Sequence, residues 1–220
     1  MPLNVVMLGP PGAGKGTQAT RLTRLWGIPH ISTGAILRDA IKAGTPLGRQ
    51  VQAIIERGAL IDDATITRIV CERVSAPDAA RGFLLDGFPR TVTQAQSLDA
   101  FMHDRGDLVI VEIALSEDEV LHRLASRMIC SECGANAQDD REVRTCHDCG
   151  GRLVPRADDR EQVVRERLNV YRRETAPLVD YYSARATYCR VDGASMVDDV
   201  SAAIVRSVSA CTGERSASKD

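Results

Sequence analysis

Residues 9–17 read GPPGAGKGT. They follow the apolar run Val5–Leu8 and precede Ala19, Leu22 and Trp26, which recur at the spacing of one face of a helix. Glycines allow successive backbone N–H groups to turn toward one centre, and the N-terminus of a following helix adds the positive end of its dipole. The stretch therefore predicts a phosphate-binding loop between a buried strand and a helix.

Lys15 and Thr17 give this loop its chemistry. Lys15 is placed to contact the β- and γ-phosphates of a nucleoside triphosphate, and the Thr17 hydroxyl can reach a phosphate oxygen or a metal-bound water. The general pattern G-x-x-x-x-G-K-[ST] has a hydroxyl directly after the lysine, whereas here Gly16 occupies that place. The alternative is a glycine-rich turn without a ligand, and the order of strand, loop, lysine and helix argues against it.

The composition limits the partners and the location of the chain. Its 28 basic and 30 acidic residues create no global basic field, so we expect neither nucleic acid nor a membrane as a partner. No apolar run approaches the ~20 residues of a membrane span, and the N-terminus enters the first strand without a signal segment. We expect one cytoplasmic domain over residues 1–220, ending in a disordered tail at 212–220.

Two further segments strengthen the interpretation of the loop. The segment HISTGAILR occupies residues 30–38 and LLDGFPR occupies residues 84–90. Together with the loop variant GxPGxGKGTQA, they resemble the nucleoside monophosphate kinases, and the adenylate kinases most closely. Alternating strands and helices predict an α/β fold with a mostly parallel sheet. The resemblance implies that this is a P-loop NTPase fold with a helical AMP-binding insertion at 32–61 and a small zinc-bearing lid at 127–164.

The resemblance also implies an activity and a set of site residues. The reaction is the reversible, Mg²⁺-dependent transfer of the terminal phosphoryl group of ATP to AMP, giving two ADP and maintaining adenine nucleotide balance; we expect a monomer. The residues implied for ATP are Gly12, Ala13, Gly14, Lys15, Gly16, Thr17, Arg123 and Arg127. Those implied for AMP are Thr33, Arg38, Ala59, Leu60, Ile61, Gly87, Arg90, Gln94, Arg156 and Arg167. Those implied for catalysis are Lys15, Asp86, Arg90, Arg127, Arg156 and Arg167.

The residue types suit these roles. Asp86 ends an apolar strand, where a carboxylate can hold Mg²⁺ through water molecules. The guanidinium fork of an arginine such as Arg38 matches phosphate oxygens, and the amide of Gln94 donates and accepts at once, as an adenine edge requires. The family usually has Asp where this chain has Ala35, and that carboxylate helps to order the water shell of the magnesium ion. In its absence, Asp86 or another group has to do more of this. Alternatively, Ser32 or Thr33 is only a helix cap and Arg38 a solvated charge.

Two capping-box signatures mark later helix starts. Ser116 precedes Glu119 by three residues, and Asp159 precedes Gln162 by the same spacing. The first of these helices carries Arg123 and Arg127, four residues apart and therefore on one face. Two arginines on a helix by themselves indicate only a solvated surface, so their nucleotide roles come from the family resemblance.

Two CxxC pairs predict a metal site. Cys130 and Cys133 form one pair, Cys146 and Cys149 the other, and twelve residues separate them. This pattern is typical of a structural zinc ion held by four thiolates, and in a reducing compartment it is favoured over disulfides. Free or disulfide-bonded cysteines, or His147 as a replacement ligand, are the alternatives. Zinc would stabilise a lid that has too few apolar residues for a core of its own.

Three other functions stay open from the sequence. A UMP or CMP kinase, or one using GTP as donor, is the first; Thr33 and Thr91 match the adenylate pattern, whereas pyrimidine kinases tend to have Ala and Asn there. A zinc-ribbon nucleic-acid-binding ATPase is the second, and the acidic balance weighs against it. A catalytically weakened nucleotide-binding protein is the third, suggested only by Ala35.

Overall fold

The computed structural model describes residues 2–137 and 145–213. Within these ranges the chain alternates between strands and helices, as the sequence predicts. The central sheet contains β1 (Leu3–Leu8), β2 (His30–Ser32), β3 (Gly82–Asp86), β4 (Leu108–Ala114) and β7 (Tyr188–Asp192), and a separate pair contains β5 (Met128–Cys130) and β6 (Leu153–Pro155). The helices are α1 (Lys15–Trp26), α2 (Thr33–Lys42), α3 (Pro46–Glu56), α4 (Asp63–Val74), α5 (Val92–Met102), α6 (Glu117–Ala125), α7 (Glu161–Val170), α8 (Pro177–Ser183) and α9 (Val197–Thr212). A π-helical segment, Tyr171–Thr175, joins α7 to α8.

The central sheet is parallel throughout and has the strand order β2-β3-β1-β4-β7. The α/β fold predicted from the sequence is therefore confirmed. After β1 the chain builds β2 and β3 on one side of that strand and then crosses to β4 on the other side. Ligands of open α/β sheets bind beyond the carboxyl ends of the strands at such a change of direction. The loop at residues 9–14 lies at this point.

The sheet is buried on both faces, which explains its nearly continuous apolar strands. In β1, Val6 and Leu8 belong to one buried layer, and Val5 and Met7 belong to the other. The first layer packs against α4, α5 and α8 through residues such as Leu98. The second packs against α1 and α9. Alternate side chains of one strand thus anchor helices on opposite faces of the sheet.

The small antiparallel pair is set apart from this core. Met128 of β5 pairs with Pro155 of β6, and the buried residues beside the two strands are Cys130, Cys146 and Leu153. Residues 138–144 of the predicted lid lie outside the described part of the chain. No helix within the described ranges combines the length and the apolar composition needed to cross a membrane.

The helix boundaries confirm two capping predictions and contradict one. Ser32 caps α2 and Ser116 caps α6 through their side-chain oxygens. The predicted cap at Asp159 is wrong: the N-cap of α7 is Arg160, and within the described residues its side chain makes no capping bond. The Asp159 carboxylate instead accepts hydrogen bonds from the guanidinium groups of Arg127 and Arg167, where both partners are charged, whereas the backbone N–H groups of a helix N-terminus are neutral.

The C-terminal helix runs slightly further than expected. Thr212, where the tail is predicted to begin, is the last residue of α9, and its hydroxyl donates to the carbonyl oxygen of Val208 at 3.1 Å. Gly213 ends the helix in the left-handed conformation. The rest of the predicted tail, residues 214–220, lies outside the described residues.

Candidate active site

The loop between β1 and α1 has the backbone that an anion site requires. Gly9, Gly12 and Gly14 have φ angles of 139°, 83° and 88°, a region that residues with a Cβ rarely adopt. An added Cβ on Gly9 would also lie 2.4 Å from the carbonyl oxygen of Ile113. The loop leads into the N-terminus of α1, where unpaired N–H groups and the helix dipole favour negative charge. The residues predicted for ATP at this loop are Gly12, Ala13, Gly14, Lys15, Gly16 and Thr17, and all lie here.

The Lys15 ammonium group lies within this loop. Its Nζ donates to the carbonyl oxygens of Gly9 and Pro10, both at 2.8 Å. Burial lowers the pKa of Lys15 to about 8; the carboxylate of Asp86 opposes this shift, and nearby guanidinium groups add to it. Those groups belong to Arg90, Arg167 and Arg127. The positive charges of three arginines that are predicted to be catalytic therefore act on the Lys15 ammonium group.

Asp86 lies beside the loop because β3 pairs with β1 and places Asp86 opposite Met7. A Cβ built on Gly16 would lie 3.6 Å from Oδ2 of Asp86, so the carboxylate faces the first turn of α1. Burial acts to raise the pKa of Asp86, but His30 and Lys15 outweigh it and the net pKa is lowered. An ionised carboxylate beside an anion-binding loop fits a hydrated Mg²⁺ ion.

A cavity of about 90 Å³ lies between α2, α3 and the loop after β3. Residues from several separate segments of the chain line it, and all ten residues predicted for AMP are among them. They are Thr33, Arg38, Ala59, Leu60, Ile61, Gly87, Arg90, Gln94, Arg156 and Arg167. The fold thus brings together residues that are up to 134 positions apart in the sequence.

Arg90 is fixed firmly at one end of this cavity. Its Nε donates to the carbonyl oxygen of Gly87 at 2.8 Å, and the Thr33 hydroxyl donates to the same oxygen at 2.9 Å. The Thr175 hydroxyl donates to the backbone carbonyl of Arg90 at 2.9 Å. Burial lowers the pKa of Arg90, and it lowers the pKa of Arg38 to about 10. Both groups are charged at neutral pH and can bind a phosphate.

Three arginines on the lid side are paired with acidic residues. Arg127 makes two hydrogen bonds of 2.6 Å to Asp159, and Arg167 makes one of 2.8 Å to the same carboxylate. Arg156 binds Asp158 at 2.5 and 2.8 Å. Burial acts to raise the pKa of Asp158, but the surrounding guanidinium groups lower it to about 2. These carboxylates occupy the kind of bidentate site that phosphate oxygens use.

Arg123 lies apart from this network. Its Nε donates to Glu119 at 2.7 Å, and its Nη2 donates to the carbonyl oxygen of Gly193 at 2.9 Å. Gly193 follows β7 and packs against Ile113, next to the loop. Two exposed apolar residues, Met196 and Val197, come shortly after it. This turn borders the predicted ATP side, although no residue of it was predicted to belong to the site.

The four cysteines of the CxxC pairs converge. Their sulfur atoms all lie within 4.8 Å of one another, with Cys130 and Cys149 at 3.5 Å and Cys133 and Cys146 at 3.6 Å. Four sulfurs at about 2.3 Å from a zinc ion would lie about 3.8 Å apart, so the cluster fits a tetrahedral ion. A hydrogen bond from the backbone of Cys133 lowers the pKa of Cys130 to about 6, whereas the pKa values of Cys133 and Cys149 are raised, so one thiol of the four ionises most readily and a bound ion would have to displace the protons of the others.

The structure adds polar residues that the sequence analysis did not assign to the site. Asp63 hydrogen-bonds to Gln94, and Asp158 lines the cavity. His30 Nε2 lies 3.5 Å from Asp86 and, within the described residues, has no hydrogen-bond partner. Asp158 could have been found from its position beside Arg156. Nothing in the local pattern points to Asp63 or His30, because their partners are distant in sequence.

Comparison with known proteins agrees with this architecture. The family model for adenylate kinase matches residues 7–187. The adenylate kinase of Moorella thermoacetica is 45% identical over 216 residues, covering 94% of this chain and 98% of that protein. Those of Kosmotoga olearia and Archaeoglobus fulgidus are 43% and 42% identical, covering 94% and 90% of this chain and 99% and 94% of those proteins. The chain therefore belongs to the adenylate kinase family.

Proposed function

We propose that the chain performs the adenylate kinase reaction between the loop at 9–17 and the cavity beside Arg90. ATP binds with its phosphates on the loop, AMP binds in the cavity, and transfer of the terminal phosphoryl group gives two ADP. The observation that carries this assignment is the convergence of all ten residues predicted for AMP on one cavity. Burial is the main cause of the lowered pKa of Lys15, and two arginines of the cavity, Arg90 and Arg167, are close enough to add to it.

The donor side combines backbone groups with a few charges. The N–H groups of the loop and of the first turn of α1 bind the phosphates, and Lys15 exchanges its two carbonyl partners for phosphate oxygens. Thr17 and Asp86 would hold a hydrated Mg²⁺ ion, which would neutralise charge on the phosphates. Arg123 and the turn at Gly193 flank the ATP base.

The acceptor side relies on side chains. Arg38 and Arg90 bind the AMP phosphate, Thr33 and Gln94 contact the base, and the segment 59–61 covers it. Catalysis then needs no general base, because the loose transition state of phosphoryl transfer depends on in-line positioning and positive charge. Arg127, Arg156 and Arg167 supply that charge from the lid side, together with Lys15 and Arg90.

Two segments move to admit and enclose the nucleotides. We assign residues 32–61 to the AMP-binding insertion and residues 127–164 to the lid. In this structure they are close together: a Cβ on Gly58 would lie 3.2 Å from Cγ1 of Val163. Closure excludes water, which would otherwise accept the phosphoryl group. The four cysteines hold a structural Zn²⁺ that stabilises the lid.

We also propose that the protein is a monomer, that it acts in the cytoplasm and that it does not bind nucleic acid. The support is the near balance of 28 basic and 30 acidic residues and the use of cysteines in a metal-type cluster. A salt-sensitive gel shift with RNA or DNA would contradict the absence of nucleic acid.

The first experiment is an acceptor panel. ADP formation from MgATP is measured with AMP, UMP, CMP and GMP, for the unmodified protein, for Lys15→Ala and for Lys42→Ala, which removes an exposed lysine. We expect strong preference for AMP, loss of about 100-fold or more in kcat for Lys15→Ala, and no change for Lys42→Ala. Preference for UMP or CMP would contradict the base contacts assigned to Thr33 and Gln94.

A further inference from the structure

The side-chain amide of Gln94 is hydrogen-bonded at both ends, to an acceptor at its nitrogen and to a donor at its oxygen. Its side chain lines the cavity, although the residue is only 2% exposed. Its Nε2 donates to Oδ1 of Asp63 at 2.7 Å, and its Oε1 accepts from the backbone N–H of Arg90 at 2.7 Å. A carboxylate can only accept and a backbone N–H can only donate. The amide therefore has one permitted orientation.

Asp63 is itself held in place. It opens α4, and its second oxygen, Oδ2, accepts from the Thr91 hydroxyl at 2.9 Å. The same hydroxyl accepts from the backbone N–H of Gln94 at 3.1 Å, as the N-cap of α5. Asp63, Thr91 and Gln94 thus form a closed set of hydrogen bonds that links the starts of two helices. The carboxylate cannot turn without breaking one of them.

These contacts decide what the cavity can recognise. A primary amide has two hydrogens and two lone pairs, so one hydrogen on Nε2 and one lone pair on Oε1 remain for a ligand. A 6-aminopurine offers a donor at N6 beside a ring-nitrogen acceptor. A 6-oxopurine offers an acceptor at O6, and its N1 carries a hydrogen, so the pattern is reversed. An amide free to turn over could match either base, whereas a fixed amide matches one.

We propose that Asp63 is a specificity-determining residue that makes the acceptor site reject 6-oxopurine nucleotides. It does not touch the base; it acts by preventing the amide of Gln94 from turning over. Reversal would bring the amide oxygen against the Asp63 carboxylate and the amide hydrogens against the N–H of Arg90. This inference rests on the proposed function, since it requires Gln94 to contact the acceptor base.

The test compares Asp63→Asn with Asp62→Asn. An asparagine at 63 can donate as well as accept, so it removes the opposition of the carboxylate to the reversed Gln94 amide and leaves only the backbone N–H of Arg90 against it. Asp62 is the matched control, because it loses the same charge one residue away and caps α4 through the N–H of Thr65, which asparagine can also do. Values of kcat/KM are measured with AMP and with IMP as acceptors, with thermal unfolding to verify that each variant folds.

We expect Asp63→Asn to lower the AMP:IMP ratio of kcat/KM about tenfold, the size of one lost charge-assisted contact. The change should arise in KM for the acceptor, with KM for ATP unchanged, and Asp62→Asn should keep the original ratio. An unchanged ratio in Asp63→Asn, or an equal fall in Asp62→Asn, would overturn the inference.

A third variant separates this inference from the proposed function. Gln94→Ala removes the amide, so it should raise KM for AMP and weaken the discrimination against IMP. If Gln94→Ala leaves both unchanged, the base contact itself is wrong and the proposed function fails at that residue. If Gln94→Ala behaves as expected and Asp63→Asn does not, only the role of Asp63 is overturned.

Discussion

The central sheet and the lid are stabilised in different ways. The sheet lies between two apolar layers that contain buried residues from helices on both faces, such as Leu98 on one face and Leu22 on the other. Beside the lid strands β5 and β6 the buried residues are Cys130, Cys146 and Leu153, two of which are metal-type ligands. Stability in the sheet is spread over many contacts, whereas in the lid it is concentrated in one cluster. The two regions should therefore respond differently to the same perturbation.

Chelation of the proposed zinc ion should have the largest effect. A structural zinc site contributes on the order of 10 kcal/mol or more to the segment that it folds. A strong zinc chelator should therefore unfold the lid strands and lower kcat by about 100-fold or more, because the lid arginines lose their positions. Amide hydrogen exchange should accelerate at 128–137 and 145–155 and remain slow in the central sheet.

The control for metal removal is Cys71→Ser, which changes a cysteine outside the cluster. It should retain one equivalent of zinc and the exchange pattern of the original protein. Slow exchange in the lid of a protein shown to contain no metal would contradict this view of the lid.

Truncation of one apolar side chain in each region should have a smaller effect than chelation. The two losses in the free energy of unfolding should differ in size. Ile110→Ala removes a fully buried side chain from β4 and should lower the global free energy of unfolding by about 2–5 kcal/mol. Leu153→Ala should leave the urea transition of the sheet nearly unchanged and alter only the lid. A global loss of equal size from Leu153→Ala would show that the two regions unfold as one unit.

The smallest of these effects should be a loss of folding stability at acid pH. It should arise from Asp158, whose ion pairs with arginines connect the lid side to the cavity. The pKa of Asp158 is about 2 in the folded chain, against 3.8 for an ordinary aspartate. A lowered carboxyl pKa stabilises the folded state above pH 4, and this contribution is lost as the pH falls through about 2. The difference corresponds to about 2 kcal/mol.

Unfolding free energies measured between pH 5 and pH 2 provide the check. Asp158→Asn should show a shallower loss of stability than the original chain over this window. Asp39→Asn removes an exposed carboxylate and should keep the original slope. Parallel slopes for Asp158→Asn and the original chain would contradict the lowered pKa.

The sequence predicts those parts of the molecule whose cause is local. The loop at 9–17 follows from glycine conformation and a helix N-terminus, and the cysteine pairs follow from the spacing of ligands around a tetrahedral ion. Asp86 follows from its place at the end of an apolar strand. In each case the residues that create the feature are neighbours in the chain, so a single stretch contains the whole signal.

The features that the sequence did not predict depend on partners that only the fold brings together. Asp63 and Gln94 are 31 residues apart, and no local pattern relates them. Asp159 shows how a local pattern can mislead, because its capping signature is correct in spacing. Its carboxylate nevertheless binds Arg127, 32 residues away, in a bidentate pair in which both partners are charged. The family resemblance supplied the cavity residues, but not the acidic partners that orient them.

The pairing of lid arginines with Asp158 and Asp159 has a consequence for turnover. Three guanidinium groups already have carboxylate partners, so a phosphate that arrives replaces one anion by another. Leaving a cluster of buried cations uncompensated would be costly, and the exchange avoids this cost in both directions. When ADP departs, the two carboxylates can resume their places. Under the proposed function, Asp158 and Asp159 would take the places of the leaving phosphates and so favour release of the product.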